Sequence, residues 1–160
     1  LMRGGSTELA CMLWSSEVQV VGPADPVVAL AGDDIILPCS LKPSASAEDM
    51  AVRWKRLNPT TENVHLYRDR RNSNEDQHPS YRGRTSLFNE ELKNGNVSLK
   101  LTRVTLSDAG SYRCFIPTLT SQEKETTVQL FVGEGFVLVV IFYVRFLCVA
   151  ECGFQFYIYI

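Results

Sequence analysis

Two cysteines, Cys39 and Cys114, carry the most informative reactive side chains of this chain. In an oxidising compartment, thiols far apart in sequence can form a disulfide bond that links distant parts of a fold. Trp54 follows the first cysteine, and Tyr112 stands shortly before the second. Metal ligation is the alternative chemistry for these cysteines. Neither belongs to a Cys-x-x-Cys motif or to a close group with histidine, so the sequence predicts no metal site.

This order of cysteine, tryptophan and tyrosine predicts an immunoglobulin sandwich. In such a domain two cysteines join the sheets, a tryptophan packs against their bond, and a tyrosine hydroxyl returns to the backbone at a chain corner. Gly110 suits a tight turn before Tyr112, and Asp108 can pair with a nearby cation. We therefore predict an all-β, variable-type sandwich with two antiparallel sheets, Greek-key connections and a bond between Cys39 and Cys114.

Short runs rich in β-branched and aromatic residues, separated by turn signals, support this fold class. The predicted strands cover residues 18–21, 26–30, 34–41, 50–57, 64–68, 85–88, 97–102, 111–116 and 126–132. The dipeptide Asn94-Gly95 predicts a hairpin turn between two of them. Enough strands lie between Trp54 and Cys114 for the variable type, which adds two strands to one sheet.

Composition and motifs argue against several classes of function. The formal net charge is −2 over 160 residues, whereas nucleic-acid-binding domains usually carry a basic surplus. The sequence contains no Gly-x-Ser-x-Gly, no His-Glu-x-x-His and no phosphate-binding glycine loop. We therefore expect a protein that is not an enzyme and that has no cofactor, no nucleic-acid partner and no small-molecule substrate.

The chain divides into four parts. We interpret residues 1–16 as a leader or the remnant of a signal peptide, with a disordered extension as the alternative. The immunoglobulin domain covers 17–132 and a short linker covers 133–135. Residues 136–160 are apolar apart from interruptions such as Arg145 and Glu151, and they are interpreted as a transmembrane helix, which needs about 20 apolar residues. A truncated or mis-spliced tail is the alternative. No role is assigned to Cys11, Cys148 and Cys152.

Several stretches narrow the interpretation to one branch of immunoglobulin proteins. They are Val21-Gly22-Pro23, Leu37-Pro38-Cys39, Val52-Arg53-Trp54, Val64-His65-Leu66-Tyr67-Arg68, Tyr81-Arg82-Gly83-Arg84 and Ser107-Asp108-Ala109-Gly110-Ser111-Tyr112-Arg113-Cys114-Phe115. These stretches resemble the butyrophilin and myelin oligodendrocyte glycoprotein family. In that family an arginine that opens the fourth strand pairs with the aspartate before the tyrosine corner. The resemblance implies that Arg84 and Asp108 form this pair.

The resemblance also implies a location and a role. Members of the family are type I surface glycoproteins of the plasma membrane whose immunoglobulin domain is extracellular, and they modulate T-cell activation as co-signalling ligands. We see neither a constant-type domain nor an intracellular domain in this sequence. Its last strand, 126–132, lacks the Phe-Gly-x-Gly stretch of antigen receptors. An antibody or T-cell receptor chain is therefore not expected.

Strand alternation predicts a binding face. If Trp54 and Cys114 point into the core, their neighbours Arg53, Lys55, Arg113 and Phe115 point outward. Arginine and aromatic residues are enriched at interface hot spots, so these four form the candidate partner-binding face. An ordinary solvated sheet is the alternative. In the following loop, Leu119 is expected to be exposed and to extend the face.

Four functions remain open at this stage. The leading hypothesis is a ligand for a protein counter-receptor on lymphocytes. The alternatives are homophilic adhesion, a soluble decoy module, and an innate receptor that recruits an adaptor through Arg145. Asn96-Val97-Ser98 fits the acceptor rule for N-glycans, so Asn96 is predicted to be glycosylated.

Overall fold

The computed structural model describes residues 17–58 and 60–134, and within them the chain is built from short strands joined by turns and 3-10 helices. The strands are β1 (Gln19–Val21), β2 (Val27–Leu30), β3 (Ile35–Leu37), β4 (Ser40–Lys42), β5 (Val52–Arg56), β6 (Glu62–Arg68), β7 (Arg71–Ser73), β8 (Thr85–Leu87), β9 (Leu99–Leu101), β10 (Gly110–Phe115) and β11 (Glu125–Gly133). The 3-10 helices span Pro79–Tyr81, Asn89–Asn94 and Leu106–Asp108.

The larger sheet has six strands in the order β2-β11-β10-β5-β6-β7. Its central strands pair antiparallel, with Cys114 opposite Trp54 and Phe115 opposite Arg53. Strand β2 pairs with β11 in parallel, from Val27 opposite Leu130 onward. The sheet therefore brings the two ends of the domain side by side.

The smaller sheet consists of β3-β9-β8, and β4 pairs with β1 beside it. The single strand predicted over 34–41 is divided into β3 and β4 around Pro38 and Cys39. Proline has no N–H to contribute to a ladder, which interrupts the pairing at this point. The N–H of Cys39 instead donates to the hydroxyl of Ser98 over 3.0 Å.

Strand β7 was not predicted, because its sequence is short and polar. It pairs with β6 across a tight turn in which Asp69 and Arg70 have φ angles of 55° and 59°. Residues other than glycine adopt this left-handed conformation at an energetic cost. The pairing of β6 with β7 on either side of the turn holds Asp69 and Arg70 in it. With β7 in place, the larger sheet has the added strands of a variable-type domain.

The prediction of an Asn-Gly hairpin turn is wrong in its local geometry. Strands β8 and β9 do pair antiparallel. They are connected through the 3-10 helix Asn89–Asn94, and Gly95 ends that helix with a φ of 78°. Glycine adopts a positive φ angle at low energetic cost. This property is useful in a hairpin turn, and here it allows Gly95 to end a helix. A Cβ at Gly95 would also lie 2.7 Å from the backbone oxygen of Ala45.

The core lies between the two sheets and follows the expected alternation. Val52 and Trp54 on β5 are fully buried, whereas Arg53 between them is exposed. Tyr112 and Cys114 are buried on β10. The prediction of an all-β, variable-type sandwich with a disulfide bond is therefore confirmed.

The sequence also predicts a transmembrane helix near the end of the chain. Among the residues that the structure describes, no helix is long and apolar enough to cross a membrane. The predicted transmembrane segment 136–160 and the predicted leader 1–16 lie outside the described residues, and both stay predictions.

Candidate functional site

A disulfide bond and a tryptophan fasten the two sheets behind the candidate face. Cys114 on β10 is bonded to Cys39, which lies between β3 and β4, and their Cα atoms are 6.7 Å apart. The Trp54 ring is fully buried, and its Nε1 donates to the backbone oxygen of Val97 over 3.0 Å. The indole N–H is thereby satisfied, as a buried polar group must be. These contacts give β5 and β10 a rigid support.

A second support lies at the corner before β10. The Tyr112 hydroxyl donates to the backbone oxygen of Asp108 over 2.6 Å and lies 3.2 Å from the Tyr81 hydroxyl. Burial raises the pKa of Tyr112 far above its usual value, so its hydroxyl remains a donor. Gly110 has a φ of 150°, and a Cβ there would lie 2.9 Å from the Asn58 oxygen. The corner thus requires glycine at this position.

The structure places Arg84 and Asp108 in contact. Asp108 is almost fully buried, and its carboxylate accepts from both terminal nitrogens of Arg84. Its Oδ2 also accepts from the N–H of Thr105 over 2.8 Å. Arg84 in turn donates to the backbone oxygens of Ser80 and Thr102, over 2.8 Å and 3.1 Å. Both charges are therefore hydrogen-bonded on several sides, as buried charges require.

The four predicted face residues lie next to one another on β5 and β10. Phe115 is opposite Arg53, and Arg113 is opposite Lys55. Arg53 is exposed and the other three are half-buried. Arg113 Nη1 lies 3.6 Å from Glu125 on β11, so part of its charge is balanced within the domain. The arrangement is a mixed surface on which Arg53 is the most accessible of the three cations.

Leu119 does not belong to this face, and the expectation that it is exposed is wrong. It is half-buried and packs against the hydrophobic core. Its loop turns back on itself, because the N–H of Leu119 donates to the Ile116 oxygen over 3.3 Å. The buried Ser121 hydroxyl accepts from the N–H of Glu123 over 3.0 Å. Packing the Leu119 side chain against the core removes apolar surface from water, and this burial stabilises the folded loop.

Three further residues at the outer side of the larger sheet were missed in the sequence. Leu66 on β6 lies opposite Arg53. The ammonium of Lys124 lies 6.0 Å from the centroid of the Phe115 ring. Phe131 is 53% exposed and alternates with the buried Leu130 on β11, so it emerges on the outer side of the same sheet. Alternation along 126–132 contained the signal for Phe131, whereas the contact of Lys124 depends on the fold of the loop.

His65 is buried beneath the neighbouring strand rather than exposed as a ligand. Its Nδ1 lies 3.0 Å from Thr85 Oγ1, and its Nε2 lies 3.1 Å from Asn72 Oδ1. In residues 17–58 and 60–134, no three His, Cys, Asp or Glu side chains are grouped so that they could hold a metal ion. Burial lowers the pKa of His65 below its ordinary value of 6.5. The neutral imidazole thus links β6 to β7 and β8.

We expect this histidine to make stability depend on pH. Below about pH 6.5 the unfolded chain binds a proton that the folded domain binds only at lower pH, so the free energy of unfolding falls as the pH falls. The slope attributable to one proton is at most about 1.4 kcal/mol per pH unit. Urea unfolding between pH 7.5 and 5.5 measures it. His65→Gln should flatten the profile, and an equally steep profile in this variant would contradict the assignment.

Asn96 lies away from the candidate face. It forms a β-bridge with Ser40, which belongs to β4 beside the smaller sheet. The Asn96 side chain is half-buried, and its Oδ1 accepts from the N–H of Ser98 over 3.1 Å. Glycosylation of Asn96 stays a prediction.

The chain is similar to a known family of immunoglobulin proteins. Residues 22–133 match the family model of the immunoglobulin V-set domain. Myelin-oligodendrocyte glycoprotein of Homo sapiens is 38% identical over 123 residues, which cover 77% of this chain and 49% of that protein. Butyrophilin subfamily 1 member A1 of Homo sapiens is 41% identical over 112 residues, which cover 69% of this chain and 21% of that protein. The chain thus spans at most about half the length of these relatives.

Solved structures give the same result. A crystal structure of bovine butyrophilin matches with a TM-score of 0.66 and 35% identity, over 74% of this chain and 55% of that chain. The crystal structure of the human B7-H4 IgV-like domain matches with a TM-score of 0.59 and 27% identity, over 74% of this chain and 97% of that chain. Sequence and fold therefore agree over the same part of the chain.

Proposed function

We propose a function from one premise: this chain belongs to the immunoglobulin V-set family and to its butyrophilin and myelin-oligodendrocyte glycoprotein branch. It is a cell-surface protein whose immunoglobulin domain is extracellular. The domain binds a protein counter-receptor on lymphocytes and so modulates T-cell activation. Residues 136–160 anchor it in the plasma membrane. The observation that carries the proposal is the outward face formed by Arg53, Lys55, Arg113 and Phe115.

The composition of the face supports protein binding. Phe115 offers an aromatic surface opposite the accessible guanidinium of Arg53, and phenylalanine and arginine are both enriched in protein interfaces. Lys124 and the pair formed by Arg113 and Glu125 surround them with polar groups. A central aromatic contact with a polar rim is the usual composition of an interface.

The rigidity of the face also supports the proposal. Each face residue alternates with a core residue that is held by the disulfide bond, by the Trp54 hydrogen bond or by the tyrosine corner. A preformed surface loses little conformational entropy on binding. The glycan proposed at Asn96 would extend from beside the other sheet and would leave this face open.

Cells that display the full chain should bind lymphocytes, and charge reversal on the face should weaken this binding. We expect Arg53→Glu and Phe115→Ala each to reduce lymphocyte adhesion roughly tenfold or more, since truncating a hot spot costs about 2 kcal/mol or more. Flow cytometry of cell conjugates measures the effect. Arg82→Glu, at an exposed position outside the face, is the matched control for the charge change. Unchanged adhesion of both face variants at equal surface expression would overturn the proposal.

Homophilic adhesion is the second candidate, and one observation favours it. The outer side of the larger sheet carries cations, the carboxylate of Glu125 and, farther along β11, the exposed ring of Phe131. A surface with both charges and an aromatic group can pair with a second copy of itself about a two-fold axis. Conjugates that form only between cells displaying the same chain would support this function and exclude the first. An innate receptor that recruits an adaptor through Arg145 depends on a residue outside the described ranges.

A further inference from the structure

A shallow groove lies on the side of the domain where β1, β4 and the residues before β9 run next to one another. Val21 on β1 is opposite Ser40 on β4, and Ser40 forms a β-bridge with Asn96. One chain neighbour of each of these three residues is buried in the core, namely Val20, Leu41 and Val97. Because side chains alternate between the two faces of a sheet, Val21, Ser40 and Asn96 point outward together.

The walls of the groove are mostly apolar. Val21 is 40% exposed, Pro38 is exposed and Pro23 is half-buried, and these three residues line the groove together with Ser40 and Asn96. Its volume is about 460 Å³. Sites for small molecules have volumes of about 300–1,000 Å³ and a similar composition, apolar walls with a few polar groups. The groove is open on its outer side, so it can cover one side of a sugar-sized occupant.

Asn96 indicates which occupant this is. Asn96-Val97-Ser98 is the one acceptor sequence for N-glycans in the 160 residues, because proline excludes Asn58-Pro59-Thr60. The first sugar of an N-glycan is an N-acetylglucosamine that is bonded directly to the asparagine side chain, so it would start at the wall of the groove. Adjacent strands lie about 4.7–4.9 Å apart, so Val21, two strands away, is about 10 Å from Asn96. One sugar at the end of the asparagine side chain can reach it.

The chemistry of N-acetylglucosamine matches these walls. One side of its ring presents C–H groups and its N-acetyl group ends in a methyl, so contact with Val21 and Pro38 would remove apolar surface of both partners from water. The Ser40 hydroxyl between them can donate to or accept from the polar groups of the sugar. Glu91 is the charged residue that lines the groove, and its carboxylate disfavours an anionic occupant. A neutral sugar meets no such repulsion.

We propose that this groove seats the first N-acetylglucosamine of a glycan on Asn96, and that the seated sugar stabilises this side of the domain. The inference rests on the extracellular location in the proposed function, but it does not depend on the counter-receptor. Ser98, whose hydroxyl bonds to both the N–H and the oxygen of Cys39, also lines the groove. The sugar would therefore cover the segment that carries one end of the disulfide bond, and it would be part of the fold rather than only a solubilising group.

The test compares three forms of the purified full chain in detergent micelles: with the whole glycan, trimmed by an endoglycosidase to one N-acetylglucosamine, and produced without glycosylation. Asn96 is unchanged in all three forms, so its bond to the N–H of Ser98 is kept. One sugar should raise the thermal midpoint by roughly 4 °C, and the whole glycan should add nothing further. Equal midpoints, or a midpoint that rises only with the whole glycan, would overturn the seat. A secreted-pathway product whose mass shows Asn96 unmodified would overturn it as well.

Two variants provide the matched comparison. Val21→Ser removes an apolar wall, so in this variant one sugar should raise the midpoint by less than half as much. Ile36→Ser changes a residue that is 49% exposed on β3 and lies outside the groove, and it should keep the full rise. Because the effect of the sugar is measured within each variant, the direct cost of the substitution cancels. A full rise in Val21→Ser would contradict the contact.

The lymphocyte adhesion assay separates this inference from the proposed function. Absence of adhesion by the unmodified chain, together with a midpoint raised by one sugar, would overturn the counter-receptor and support the seat. Adhesion that depends on Arg53, together with equal midpoints of the three forms, would overturn the seat and leave the counter-receptor standing.

Discussion

Replacing Asp108 with asparagine is expected to lower the free energy of unfolding by about 3–5 kcal/mol, because it removes one partner of a buried ion pair. The side chains of Asp108 and Arg84 are only 4% and 14% exposed. The guanidinium would lose its charge partner while remaining mostly shielded from water. Since small domains have total stabilities of about 5–15 kcal/mol, the loss would be a large fraction of the whole. Urea unfolding at pH 7 measures it.

The matched control is the ion pair of Asp49 and Arg70, which has good geometry but lies in solvent. Two hydrogen bonds of 2.6 Å and 3.1 Å join these side chains, and both are more than two-thirds exposed. Water screens such a pair, so Asp49→Asn should leave the urea midpoint unchanged. If Asp49→Asn and Asp108→Asn were to destabilise the domain equally, burial would not be the source of the Asp108 effect.

The second large effect should come from removing the disulfide bond by the double substitution Cys39→Ala and Cys114→Ala. The bond closes a loop of 75 residues, for which the chain-entropy model gives about 4.5 kcal/mol. Losses on removing native disulfides from small secreted domains are about 2–5 kcal/mol. The double variant should therefore unfold at a much lower urea concentration than the oxidised protein.

Reduction of the unmodified protein provides the control for this variant. With dithiothreitol, its urea midpoint should fall close to that of the double variant, because both lack the bond. A midpoint that does not respond to the reductant, or free thiols at both positions in peptides mapped without reductant, would contradict the prediction. The substitution Trp54→Phe would then show how much of the core depends on the ring next to the bond.

Some features of this domain are readable from sequence because they depend on residue type and alternation. Trp54 and Cys114 are residue types that favour the core, and the outward direction of Arg53 and Phe115 then follows from strand alternation. The division into short strands follows in the same way from β-branched runs and turn residues. These local rules held for most of the strands, although the strand predicted over 34–41 is divided in two and β7 was not predicted.

Other features depend on what the folded chain brings together, and no local rule predicts them. Gly95 ends a 3-10 helix rather than a hairpin turn, because positive φ is useful in both places. Leu119 is covered because its loop folds back onto the core. The buried Gln77 amide depends on three acceptors, from β6, from β8 and from the 3-10 helix Pro79–Tyr81. A single glutamine in a polar stretch gives no sign of such surroundings.

The parallel pairing of β2 with β11 has a mechanical consequence. These strands lie near opposite ends of the described sequence, so a force that stretches the chain between them acts along both strands. Because they run in the same direction, the force slides one past the other and loads all their hydrogen bonds at once. An antiparallel hairpin pulled at its open end would instead lose its bonds one at a time. A force applied between the start of β2 and the end of β11 would therefore meet the resistance of the whole seam before the sandwich opens.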